Sequence, residues 1–377
     1  MSASDNTPRP APRISGESIS TVGVVADENP PVRPCGAGVP DGLGTRAKRA
    51  VLKKVVLVSP AMAEANNGNW HTAHRWSQFL SGHCDIALLA QWPPQTPVAK
   101  GSPPDAMIAL HARRSAPSIA AWAQAWPDKP LVVMLTGTDL YRDILNDDVA
   151  RQSLNLASHL VVLQDAALTA LPPQWRHKAR VIYQSAAALR PARKSTRGFR
   201  VVMVGHLRSE KDPLTFMAAA RAELPAHIRF EQIGDAIDAA LGAAAQTTAS
   251  TCPRYHWLGG LPRSTTRQHI KRAHLLVNSS LMEGGAHVIL EAVLSGTPVL
   301  ASRVSGNIGM LGDGYAGYFD VGNSTQLAQL VTRCATDAHF LALLARQCQQ
   351  RAPLFAPARE KALVLKLITS ALCPRTT

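Results

Sequence analysis
The sequence predicts an α/β protein built as two doubly wound domains around a central cleft. Three observations carry that expectation: short apolar runs alternate with amphipathic helical stretches from Lys53 onward, the alternation breaks once at a basic, polar stretch, and it then resumes to the end of the chain. A length of 377 residues suffices for two ordinary domains, each with its own core.

The first series opens with the strand KKVVLVSP and the helix WHTAHRWSQFL, whose Trp70, Ala73, Trp76 and Leu80 fall on one face. Strands follow at CDIALLA, AMIALH, PLVVMLTG, HLVVLQ and ARVIYQ. The stretch RPARKSTRG, residues 190–198, reads as a linker. A second series runs through FRVVMVG, the helix PLTFMAAARAEL, IRFEQIG, the helix DAIDAALGAAA, RYHWLGG, the helix STTRQHIKRA, HLLVNSS and TPVLASR, and ends in helices reaching about residue 372. Repeated βαβ units of this kind form parallel sheets covered on both faces, with ligands at the carboxyl ends of the strands. The division expected is a first domain over 51–190 and a second over 191–377 that includes the C-terminal helices. Residues 1–50 are rich in Pro, Ser and Gly, lack apolar periodicity, and read as a disordered extension without the apolar core of a secretory signal.

Forty Lys and Arg against 26 Asp and Glu leave a net charge of +14, which favours anionic partners. Aromatic residues make up only 5% and the basic residues are scattered, so phosphorylated small molecules are favoured over nucleic acid. No apolar run approaches the roughly 18 residues of a membrane span, so no membrane partner is expected. The six cysteines include no CxxC pair, which favours reduced thiols in a cytoplasm over a disulfide frame or a zinc site.

One apolar segment, NSSLMEGGAHVILEAVLSGTPVL, carries two carboxylates, Glu283 and Glu291. With a helix starting near Gly285, His287, Glu291 and Ser295 share a narrow polar stripe, and a buried carboxylate there needs a partner. Eight residues of helix rise about 12 Å, so the two carboxylates span the ends of an elongated ligand. Between them the amides of Gly284 and Gly285 offer an anion seat at a helix N-terminus. The alternative is a plain helical pair of His287 with Glu291 and a solvated Glu283. A second stretch, VGHLRSEKDP, turns after Gly205 and brings Arg208 and Lys211 to the same sheet edge, as the cationic side of a diphosphate clamp.

Together, VGHLRSEK and the Glu segment resemble the donor domain of the family 4 glycosyltransferases, which have the two-Rossmann GT-B fold. The resemblance implies Glu291 on the ribose hydroxyls, Glu283 near the donor sugar, Gly284, Gly285, Ala286 and His287 beside the diphosphate and sugar, and Lys211 on the diphosphate. His206 stands where that family often has Arg, with Arg208 close by to supply the charge, and EGGA replaces the usual EGFG. The stretches NNGNWHTAHRW, ALHARRSAPSI, LTGTDLYRDI, LVVLQ and VIYQSA are similar to the selenosugar synthases of selenoneine biosynthesis. That implies transfer from a UDP-sugar, UDP-N-acetylglucosamine, to selenophosphate with release of UDP and phosphate, and a functional link to a selenophosphate synthetase and a selenoneine synthase.

Selenophosphate is anionic and already a soft nucleophile, so cations and amides matter more for holding it than a base does for activating it. Arg113 and Arg114 suit bidentate phosphate binding, and Asn67, Gly68 and Asn69 form a second anion seat at a helix start. Thr136, Gly137 and Thr138 complete the expected acceptor site. His111, Arg113, Arg114, Asp139 and Glu283 are the expected catalytic set. His111 satisfying a backbone group and Asp139 acting as an N-cap are the plainer readings. No metal or cofactor is expected, since no Asp-x-Asp pair stands where a metal-dependent transferase would hold one. An alcohol-acceptor transferase, a non-catalytic sugar-nucleotide binder and a nucleic-acid binder are the rivals.

Overall fold
The computed structural model describes residues 52–62, 68–94 and 102–373. The extension expected over 1–50 and the acceptor candidate Asn67 lie outside them. Among the described residues, six strands form the first sheet: β1 (Lys53–Val58), β2 (Cys84–Leu89), β3 (Ala106–Leu110), β4 (Leu131–Met134), β5 (His159–Val162) and β6 (Ala179–Val181). Six more form the second: β7 (Phe199–Val204), β8 (Ile228–Ile233), β9 (Tyr255–Trp257), β10 (Leu275–Asn278), β11 (Val299–Ser302) and β12 (Tyr318–Phe319). Every pairing is parallel. All five residues of β3 and all four of β4 are buried, as in strands covered on both faces. The eleven strands expected from apolar runs are all present. The two-residue β12 went unforeseen because it is too short to show a pattern.

The first sheet runs β2-β1-β3-β4-β5-β6 and the second β12-β11-β10-β7-β8-β9. Each order reverses direction once, between β1 and β3 in the first lobe and between β7 and β10 in the second. At such a switch point the loops after neighbouring strands leave to opposite faces and open a crevice at the carboxyl edge. The loops concerned lead into the Gly68–Leu80 helix and carry His111 to Arg114 in the first lobe. In the second lobe they carry His206 to Lys211 and Asn278 to Ala286.

Several boundaries differ from expectation. The helix foreseen from Asp235 begins at Ala239, because the Asp238 carboxylate accepts from the Ala240 and Leu241 N–H groups and caps it there. On the first helix it is Thr72, Ala73, Trp76 and Leu80 that are buried, while Trp70 stacks on His74. The last helix, Pro357–Leu372, was counted with the second domain, yet Val364, Leu367 and Ile368 pack into the first sheet's core beside Val55, Leu57 and Trp76. The linker is tied to the second lobe by Lys194, whose ammonium donates to the Lys271 and Ala273 carbonyls and to Thr297 Oγ1 at 2.6–2.9 Å. Among the described residues no helix is long and apolar enough to cross a membrane.

Candidate active site
Both carboxylates of the Glu segment are buried, and each faces cations. Glu283, 8% exposed, lies in the loop after β10 and accepts at Oε1 from Lys211 Nζ at 2.5 Å, Ser280 Oγ at 2.6 Å and Asn278 Nδ2 at 3.4 Å. Burial pushes its pKa up, but the Lys211 ammonium and the neighbouring donors outweigh burial and hold it below the ordinary value. Arg208 is half-buried, its Nε has no acceptor, and its charge is felt by His206 and Glu210. His206 Nδ1 accepts from the Asp235 N–H at 3.3 Å, and burial keeps the ring's pKa below its usual value.

The helix bearing Glu291 covers His287–Val293, two residues later than expected, with the buried Ala286 at its N-cap. His287 Nδ1 lies 3.4 Å from Glu291 Oε1, as the i,i+4 spacing implies. Ser295 falls beyond the helix and turns its hydroxyl onto the Glu291 carbonyl at 2.6 Å, so it caps the chain and leaves the polar stripe. Glu291 Oε1 also accepts from Arg263 at 3.0 and 3.2 Å and lies 3.7 Å from Arg267 Nε. Burial alone would raise this carboxyl. Its partners, led by His287 and Arg263, bring it down to about 2. Glu283 therefore faces Lys211, whereas Glu291 faces a second basic group that the sequence reading did not include.

Gly284 and Gly285 have a further role beyond the one foreseen for their amides. A methyl group on Gly284 would sit 2.2 Å from the Thr136 carbonyl oxygen, and one on Gly285 would sit 2.8 Å from Leu163 Cβ. The missing side chains let the second-lobe loop lie directly on the TGTD turn and on Leu163 of the first lobe. Two more contacts join the lobes here: Tyr141 Oη to Ser305 Oγ at 3.2 Å, and Arg142 to Glu210 at 3.2 Å.

The first-lobe candidates are placed unevenly. Asp139, expected to be catalytic, is fully buried; its Oδ1 accepts from the Thr136, Gly137 and Leu140 N–H groups and its Oδ2 from Ala112. Its work is to hold the turn, because a fully buried carboxylate engaged by four backbone donors is kept away from substrate. His111 sits in left-handed backbone conformation at φ 71°, 2% exposed. Its Nδ1 accepts from the Arg114 N–H at 3.3 Å, so Nε2 carries the proton and donates to Thr138 Oγ1 at 3.0 Å. Arg113 and Arg114 are exposed, and Arg113 pairs with Asp147, the N-cap of the Asp148–Leu156 helix, instead of pointing freely into the crevice. Thr136 and Gly137 meet Gly284 through their backbone, while Gly68 opens the first helix in an exposed position with Asn69 half-buried behind it.

His71, Arg75, Arg263, Arg267 and Glu360 were not foreseen. His71 and Arg75, like Arg263 and Arg267, are spaced i,i+4 and so share a helix face, but only the tertiary fold brings the two pairs to Glu291. The environment of His71 lowers its pKa to about 4, through burial first and then the Arg263 charge. Both His71 and Glu291 bind protons less readily folded than unfolded, so acid destabilises the fold through each. Stability should fall as the pH drops from about 6.5 toward 4 through His71, and from about 4.5 toward 2 through Glu291. Thermal unfolding midpoints measured across this range should show the first slope flattened in His71→Gln. An unchanged slope would mean the imidazole is solvated. Among the described residues no three His, Cys, Asp or Glu side chains gather as metal ligands.

Residues 198–337, from just before β7 to beyond the Glu segment, match the family model described as glycosyl transferases group 1. The fold is GT-B. In particular, the chain is similar to glycosyltransferase 1 domain-containing protein 1 of Xenopus tropicalis, 28% identical over 200 residues, 47% of this chain and 58% of that protein. The matched region thus spans little more than half of that relative's length. Sucrose-phosphate synthase of Thermosynechococcus elongatus has the same architecture at TM-score 0.69 and 15% identity, with 84% of this chain and 98% of that one covered. Anabaena HepE in complex with UDP and glucose gives TM-score 0.64 at 18% identity, covering 85% and 100%.

Proposed function
We propose that the protein is a glycosyltransferase that takes a UDP-sugar, UDP-N-acetylglucosamine, and transfers the sugar to selenophosphate. One observation carries the donor half: two buried carboxylates at the second-lobe switch point, Glu283 against Lys211 and Glu291 against Arg263. The HepE structure contains UDP and glucose, which supports a uridine nucleotide. Glu291 would accept from the ribose hydroxyls. Lys211, Arg208 and the Gly284 and Gly285 amides would stabilise the diphosphate as it leaves. Selenium attacks C1 as the C1–O bond to UDP breaks, giving a glycosyl selenophosphate; water then cleaves the selenium–phosphorus bond, leaving a 1-selenol sugar and phosphate. Arg114, Asn69 and the Gly68 helix start are the groups of the first lobe suited to hold the anion, with Arg113 joining once it leaves Asp147.

A hydroxyl acceptor is the second reading, favoured by the engagement of Arg113 with Asp147. Incubation with UDP-N-acetylglucosamine and selenophosphate, thiophosphate or phosphate, read by mass spectrometry, separates the two. A selenosugar is expected, and UDP release with simple alcohols alone would discard the selenium chemistry. Glu291→Ala should weaken UDP binding at least about tenfold, since charged hydrogen bonds are lost. Arg113→Ala should leave UDP affinity within about twofold and remove product, because the role proposed for it is to hold the acceptor after leaving Asp147. Titration calorimetry checks both, and unchanged UDP affinity in Glu291→Ala would overturn the donor assignment.

A further inference from the structure
A fixed guanidinium of the first lobe reaches His287, the neighbour of the second-lobe carboxylate Glu291. Arg75, on the Gly68–Leu80 helix, donates from Nε to Glu360 Oε2 at 2.7 Å and from Nη2 to Glu360 Oε1 at 3.0 Å. Glu360, from the last helix, has a fully buried side chain and also accepts from Trp76 Nε1 at 2.8 Å and Ser185 Oγ at 2.5 Å. Four donors on one buried carboxylate leave it no freedom, and the bidentate pair locks the guanidinium plane. The remaining nitrogen, Nη1, is thereby aimed at the His71 carbonyl at 3.3 Å and at His287 Nε2 at 3.5 Å.

An arginine has donors and no acceptor. His287 Nε2 must therefore present its lone pair to Arg75, so the ring proton sits on Nδ1. Nδ1 in turn lies 3.4 Å from Glu291 Oε1. The lone pair at Nε2 requires a neutral ring, and burial favours one. The chain Glu360, Arg75, His287, Glu291 is consistent in direction at every link.

We propose that Arg75 is a positioning residue for the donor site: held by Glu360, it fixes the Nδ1–H tautomer of His287 and through it the orientation of Glu291. This rests on the reading of Glu291 as a nucleotide contact. It makes that site a joint product of both lobes and the last helix, since Arg75 and Glu360, two of the four residues, come from outside the second lobe.

Two measurements test it. Nitrogen-15 NMR of the imidazoles in the nucleotide-free chain should show His287 protonated on Nδ1, with Arg75→Met giving a mixture of tautomers. UDP affinity should fall about tenfold in Arg75→Met but not further when His287→Leu is already present, the mark of a residue acting through another. Arg75→Lys, which keeps the charge and loses the fork, should resemble Arg75→Met. Should Arg75→Met fold poorly, the tautomer of His287 in the unaltered chain still decides. An Nε2–H tautomer there, or equal affinity losses in both backgrounds, overturns the proposal. A correct tautomer with no UDP binding at all would instead refute the nucleotide reading.

Discussion

Lys211→Met is expected to cost about 3–5 kcal/mol of stability at neutral pH, the usual penalty for stripping a buried carboxylate of its cation. The Lys211 ammonium is 2.5 Å from Glu283 Oε1, on a residue only 8% exposed, and the hydroxyl and amide that remain carry no charge. Without the ammonium, burial dominates and raises the Glu283 pKa above its unfolded value. A raised carboxyl binds more protons folded than unfolded, so the variant should recover stability as pH falls toward that new pKa. Native Glu283 does the opposite, because its lowered pKa adds stability above about 4.5 that is lost in acid. Denaturant titrations at several pH values should show the two curves converging on the acid side. Lys211→Met with Glu283→Gln should regain most of the stability, since neither member is then a buried lone charge. UDP affinity should fall about ten- to a hundredfold in both variants, the worth of one charged contact to a diphosphate. A loss below about 1 kcal/mol at neutral pH would mean that water reaches Glu283 and that the pair is not sealed.

How much of this site could be read beforehand depended on whether the reason lay within one segment. Glu283 and Glu291 stood out because carboxylates in an apolar stretch require partners, and the partners exist. Lys211 reaches Glu283 because the turn after a first strand and the loop after a fourth meet in a doubly wound sheet. Glu360 could not be found that way. In PAREKALVLKL it looks like an ordinary surface charge, and only the return of that helix onto the first sheet buries it against Arg75 and Trp76. Asp139 was legible as a turn residue but not as a fully engaged one, because its four donors come from two separate loops. The glycine pair was recognised while part of its purpose was missed, because the sequence does not show which backbone lies against it.

That close approach makes Gly284→Ala a small substitution with a large expected effect where the two turns meet. The added methyl would lie 2.2 Å from the Thr136 oxygen, 2.5 Å from its carbonyl carbon and 2.7 Å from the Gly137 nitrogen, all backbone atoms that cannot rotate aside. The Thr136 and Gly137 amides are themselves pinned to Asp139 at 2.8 Å, so the first-lobe turn cannot yield alone. Relief has to come from parting the two turns by roughly an ångström, and misplacing reacting groups by that much costs about a hundredfold in rate. Turnover should therefore fall about that far, while UDP affinity, assigned above to Glu291, Lys211 and, through His287, Arg75, none of which lies on the Thr136–Gly137 turn, should change much less. Gly314→Ala, where a methyl meets nothing within 4 Å, controls for the loss of a glycine as such. The split between turnover and nucleotide affinity is the decisive reading. A Gly284→Ala protein that loses both equally would place the damage inside the donor pocket, and one that loses neither would show that the two turns separate freely in solution and that their contact does not set the reacting geometry.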